Sequence, residues 1–190
     1  MSLSQEYLNI VTLINLKLFL LSCFLFSVGV VLSPLVVKKN LKIFLFYPLW
    51  MWNLLKKYLN PQDHFLKLFL FIFLLNSGSL FCNLVSGFLM IFPFIFSVLL
   101  GMHVGIIMFK ETGGWGLMAI FLNPVSLLEL PAAWISLSMG MEIGISLYPD
   151  FVFSHVVDSF WEGLSVYIFV VIPLLAISGI IEVTMIKIHR

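Results

Sequence analysis

Apolar runs of roughly twenty residues recur along this chain, and a helix of that length crosses the hydrocarbon of a bilayer at about 1.5 Å per residue. The composition leaves no other home for them. Hydrophobic residues make up 62% of the 190 positions, charged residues 10%, and mean hydropathy is +1.14. A soluble domain carries roughly 45–50% apolar and about 25% charged residues. This chain cannot cover itself with polar groups, so lipid must. The expected fold is all-α: a polytopic transmembrane helix bundle of about five spans plus an interfacial amphipathic helix, in a single integral membrane domain over residues 1–190.

The spans are placed by polar punctuation. The first runs about 13–37, with Pro34 near its exit and Lys38, Lys39 and Lys42 following. It is longer than a signal-peptide core and has no basic stretch before it, so it reads as a retained helix. Residues 41–59 carry an apolar stripe at 41, 44, 45, 48, 49, 52, 55 and 59, with Lys42, Lys56 and Lys57 off or beside it. That pattern predicts the interfacial helix. Asn60-Pro61 reads as a helix start, with Asn as cap and Pro at the first turn. Spans at about 66–87 and 91–109 close as a hairpin near Gly87 to Pro93. A short apolar piece, Trp115 to Leu122, cannot cross alone. Asn123-Pro124 repeats the cap-and-proline start and opens a span at about 124–148, ended by Pro149-Asp150. An acidic loop follows, with Asp150, Asp158 and Glu162 and no basic residue, before a last span at about 163–186 containing Pro173.

Basic residues give an orientation. Lys38, Lys39, Lys42, Lys56, Lys57 and Lys67 lie between the first two spans or at the start of the second. With five spans, Lys110, Lys187 and Arg190 fall on the same side. The positive-inside rule then puts the N-terminus outside and the C-terminus in the cytoplasm of a cell-membrane protein.

Ionisable groups inside spans are costly and therefore informative. Glu129 stands in Asn123-Pro124-Val125-Ser126-Leu127-Leu128-Glu129-Leu130-Pro131, about 7–8 Å along its helix from Pro124. Such a carboxylate must be neutralised, paired or hydrogen-bonded. Pro131 frees the carbonyl of Leu127, and Ser126 and Asn123 are near in sequence to join a polar knot. Glu129 reads as a proton or substrate group in a cavity, or as a latch that fixes helix packing. Glu142 is nearer the other end of the same helix and can snorkel toward headgroups. Thirteen residues, about 20 Å of helix, separate the two, which argues against a two-carboxylate hydrolytic site.

Gly101-Met102-His103-Val104-Gly105 and Gly140-Met141-Glu142-Ile143-Gly144 are both G-x-x-x-G, a spacing that lets helices pack closely in membranes. His103 and Glu142 sit about two positions from the glycines, so they point to another neighbour, a cavity or lipid. His103 is a candidate partner for a carboxylate. Asn76, Ser77, Ser79 and Asn83 are explained by interhelical hydrogen bonds. His155 and the acidic loop could hold a cation, but three carboxylates over thirteen residues read as a solvated loop.

The pattern excludes several classes. There is no nucleophile elbow, P-loop or H-E-x-x-H, hence no catalytic residue to assign. Cys23 and Cys82 read as small buried hydrophobes, and no His/Cys cluster has metal spacing, so no metal or cofactor is expected. A net charge of +1 gives no footprint for nucleic acid.

The stretch from Asn76 to Gly144 resembles the stage II sporulation protein M family. Asn76-Ser77 stands at the start of one span, Gly101 to Gly105 at the end of the next, and Pro124 to Ala132 matches the family's P-H-G-x-x-E-x-P-A element. The family's His and Gly are Val125 and Ser126 here, and its Asn before the glycine pair is Leu100, while Glu129 and Pro131 remain. The resemblance implies an all-helical integral membrane protein without enzymatic activity. In endospore formers the family member looks like an anchor that gathers the peptidoglycan-degrading stage II proteins D and P, and similar proteins occur where no spore is made. Two functions follow as expectations. One is a membrane scaffold or remodelling component whose partners are lipid, other membrane proteins or itself. The other is the permease-like subunit of a transporter that works with a separate ATPase.

Overall fold

The structure, a computed structural model, describes residues 3–148 and 152–188, and among these every regular element is helical. In chain order they are α1 (Leu3–Thr12), α2 (Leu16–Lys38), α3 (Lys42–Tyr58), α4 (Phe65–Val85), α5 (Phe92–Thr112), α6 (Gly114–Leu122), α7 (Ser126–Ser146), α8 (Phe153–Val166) and α9 (Ile172–Ile188). Four helical stretches are long and apolar enough to cross a membrane, and there are five if the bent pair α6 and α7 is counted as one span.

Local chemistry sets the boundaries. Asn15 starts α2, its Oδ1 accepting from the backbone N–H of Lys17 at 3.1 Å and Leu18 at 3.5 Å. Asn60 does not start a helix. Its Oδ1 takes the N–H of Gln62 at 3.0 Å and closes a turn, and α4 begins at Phe65, where His64 Nδ1 accepts from Leu66 at 3.3 Å. The side chain of Asn60 competes for the backbone and holds it out of the helix. Asn123 Oδ1 accepts from Val125 at 3.0 Å, one turn ahead of α7. A 3₁₀ turn, Ser86–Leu89, prolongs α4, and Met90 at φ 51° reverses the chain into α5.

The acidic segment expected as a loop is largely helix. From Phe153 onward it forms α8, because Val156, Phe160, Gly163 and Val166 make a helical stripe that packs inward while Asp158 and Glu162 face out. Pro149 and Asp150, expected to end the preceding span, lie outside the described residues. A π turn, Tyr167–Val171, joins α8 to α9 without a break. The following Pro173 lacks a backbone donor, and the wider turn accommodates its ring. The resulting 36-residue stretch is about 54 Å long, against about 30 Å of hydrocarbon.

The bundle is built around α7. Twelve of its residues, all between Leu130 and Gly144 inclusive, are buried. It meets the requirement for a span only together with α6, since it carries Glu129, Glu142 and several serines. A helix ringed by other helices tolerates polar groups that a lipid-facing one does not. Ser136 Oγ donates to the carbonyl of Leu80 at 2.5 Å, and Ser22 Oγ to that of Trp134 at 3.0 Å, fastening α4 and α2 to it.

Two seams use glycine. α2 and α5 form the most extensive helix pair and run parallel, with Gly101 over Phe26 and Gly105 over Ser33. A Cβ at Gly101 would strike the carbonyl of Phe26, and one at Gly29 the carbonyl of Val98. α4 and α7 are also parallel, with Gly140 against the carbonyl of Asn83 and Gly144 against that of Met90. The ends of α2, α5 and α9 thus gather Lys38, Lys110 and Lys187 at one end of the bundle, where Lys187 Nζ donates to the carbonyl of Asp63 at 2.6 Å.

Candidate functional site

Three helices meet at Glu129. It lies in the first turn of α7, half-buried, and its Oε1 accepts two hydrogen bonds. Asn76 Nδ2 of α4 donates at 2.7 Å and Ser178 Oγ of α9 at 3.0 Å. Ser178 Oγ also lies 3.4 Å from the carbonyl of Val125. Glu182, one turn further along α9, is within electrostatic range of Glu129. The polar knot expected around this carboxylate therefore draws on α4 and α9. Asn123 is spent on its own turn, and the side-chain donors to Glu129 are Asn76 and Ser178, with no hydrogen bond from Ser126.

The other sequence candidates divide in two. Pro131 follows Glu129 inside α7, and Pro124 is exposed in the turn before it. His103 is on α5, opposite the face where Gly101 and Gly105 contact α2. Its ring stands 5.4 Å from that of Tyr47 on α3, centroid to centroid, and its Nδ1 is buried with no hydrogen-bond partner. His103 and Glu129 share no hydrogen bond, but they line one cavity of about 230 Å³, together with Asn76 and Ser79. Glu142 stays apart. It lies half-buried at the far end of α7, within electrostatic range of Glu162 of α8, so the two carboxylates of α7 serve different places.

The hydroxyl and amide groups of α4 only partly find the interhelical bonds expected of them. Asn76 does. Ser77 contributes its backbone carbonyl, which accepts from Tyr167 Oη at 2.6 Å, while its own Oγ is buried without a partner. Asn83 Nδ2 is likewise without one. Sequence reasoning missed Ser178 and Glu182. The signal was present: Glu182 is an ionisable residue in an apolar run, and Ser178 precedes it by one helical turn on the same face.

The arrangement links α4, α7 and α9 through one oxygen and places Glu129 on the wall of a mostly apolar cavity. The same site contains the E-x-P-A element, Glu129-Leu130-Pro131-Ala132. The family model of stage II sporulation protein M matches residues 17–185, from α2 to α9. The chain belongs to the stage II sporulation protein M family. The match reaches well beyond the Asn76 to Gly144 stretch that first suggested it, and takes in Ser178 and Glu182. No curated protein and no solved structure matches the chain. For this family member, then, the E-x-P-A carboxylate is a junction of three helices.

Proposed function

We propose that this chain is a non-enzymatic membrane scaffold that assembles or localises partner membrane proteins, in the cell membrane, with its N-terminus outside and its C-terminus in the cytoplasm. The observation that carries the reading is the double acceptance at Glu129 Oε1. The carboxylate is engaged in holding helices together, which suits a body that presents fixed surfaces to others. Close glycine seams support the same reading, because they make the bundle stiff. The gathering of Lys38, Lys110 and Lys187 at one end supports the orientation.

A second reading is the permease-like subunit of a transporter with a separate ATPase. It is favoured by the cavity of about 230 Å³ that Glu129, Asn76 and His103 share, and by the 84° elbow between α6 and α7, a form that discontinuous transport helices also take. Two measurements decide between them. Purification of the tagged chain in mild detergent should retain a membrane protein in fixed ratio, and vesicles containing both should pass no solute. Solute flux that Glu129→Gln abolishes would replace the scaffold reading with the transport one.

A further inference from the structure

Four lysines at one end of the bundle carry unbalanced charge. Lys38, Lys39, Lys42 and Lys110 are exposed, and none has an ion pair or a side-chain hydrogen bond among the described residues. The carboxylates at the same end are already engaged, Glu111 by Lys56 and Trp52, and Asp63 by Lys67. Three of the four lysines are held on one tight corner. Asn40 stands at φ 49° and ends α2 in the left-handed conformation. Its N–H donates to the carbonyl of Val37 at 3.1 Å, and the N–H of Leu41 to that of Val36 at 3.1 Å, so α3 turns off at once. Val36 and Leu45 then pack on Met102 and Ile106 of α5, which brings the corner up to the end of α5 that carries Lys110.

From this corner α3 turns an apolar face outward. Ile43, Phe46, Tyr47 and Trp50 follow at helical spacing, and Ile43 and Phe46 are 83% and 74% exposed. The other side of α3, with Met51 and Leu55, covers the gap between α4 and α5 at the Glu129 cavity. The ring of Tyr47 meets that of His103, seven residues and about 10 Å of helix short of Lys110. Apolar side chains at that depth, beneath a set of ammonium groups, match one leaflet in cross-section: headgroup above, acyl chain below. A neutral lipid satisfies the apolar face and leaves the lysines to water. An anionic one satisfies both, and gains about fivefold in affinity from each lysine near its headgroup.

We propose that the α2–α3 corner is a docking surface for an anionic phospholipid, with its phosphate among Lys38, Lys39, Lys42 and Lys110 and its acyl chains along Ile43, Phe46 and Trp50. The surface depends on neither function proposed above. The orientation proposed there only names the leaflet, which is the cytoplasmic one.

Two photoreactive lipids with the same diazirine-bearing acyl chains test this, phosphatidylglycerol and phosphatidylcholine. Each is added as a trace to symmetric phosphatidylcholine nanodiscs holding the full chain, so that the outcome does not depend on orientation. Labelled positions are mapped by mass spectrometry, and labelling of residues 42–50 is divided by that of the lipid-facing Ile177 and Ile180 of α9. The ratio should be about fivefold higher or more for phosphatidylglycerol than for phosphatidylcholine, the preference that a single lysine gives. Molar salt should shrink it, since the lysines are exposed to screening. Lys38→Gln, Lys39→Gln and Lys42→Gln combined should bring the two lipids level. Lys17→Gln, at the opposite end of α2, should leave the preference intact. The comparison in the native chain needs no variant, so misfolding cannot obscure it. Equal ratios for the two lipids would show annular lipid only and overturn the proposal. So would a preference that the triple variant keeps, or one that Lys17→Gln removes as well, which would report net charge alone.

Discussion

At the scale of single residues, Glu129 makes α4, α7 and α9 depend on one oxygen. Removing that oxygen strands the donors of Asn76 and Ser178. Interhelical hydrogen bonds in membranes couple by about 0.6 kcal/mol on average and about 1.7 at most. A double-mutant cycle of Asn76→Ala and Glu129→Ala should therefore give a coupling energy in that range, read from unfolding in mixed micelles. Glu129→Gln keeps an acceptor oxygen and should destabilise less than Glu129→Leu in the same assay. A zero coupling would mean that the two side chains do not share a bond in the membrane. Glu129 and Asn76 were legible because a carboxylate and an amide stand out in apolar runs. Their meeting was not, since they are 53 positions apart and only the packing of α4 on α7 sets their register. Ser178 was hidden by its type: serines occur in many membrane helices without special contacts, as Ser27 and Ser165 show here by bonding only within their own helix.

At the scale of elements, glycines decide which helices touch. Gly101→Leu should part α2 from α5 and lower the melting temperature of the detergent-solubilised chain by many degrees, because the clash is with backbone that cannot move aside. Gly78 has open space around it, and Gly78→Ala in the body of α4 should leave stability unchanged or raise it by up to about 1 kcal/mol, as expected for a better helix former. The contrast between the two in one thermal-shift series checks the seam. α3 offers a gentler case. Trp52 Nε1 and Lys56 Nζ both donate to Glu111 Oε1, at 2.7 and 2.8 Å, on an exposed surface. Glu111→Gln should leave overall stability almost unchanged, because solvent screens the pair, yet speed hydrogen exchange in α3 relative to α5. The G-x-x-x-G pairs were visible in the sequence, while Gly29 and Gly87, which face them across the seams, had no motif to mark them. α8 was mistaken for a loop because its acidic residues were weighed above its apolar stripe. The stripe decides, since α8 has α1 and α7 to pack against.

At the scale of the whole molecule, hydropathy and length were enough for an all-helical membrane bundle, and the basic residues were enough for an orientation to test. A reporter fused after Arg190 should be active on the cytoplasmic side, and Ser154→Cys should react with an impermeant thiol reagent added from outside. Reaction from the opposite side would invert the topology. Burial order was out of reach, because a chain with apolar residues on every face of its spans carries no stripe to say which helix is central. Among α2, α4, α5, α7 and α9, the least apolar, α7, proves to be so. The α2–α5 contact also limits how this molecule can move. With carbonyl set against Cα over about two turns, neither helix can slide or roll past the other without driving main chain into main chain. The two form a single stave, and bending must be confined to the joints that lack such contact: the corner between α6 and α7, the lipid-side gap between α4 and α5, and the loosened π turn ahead of α9.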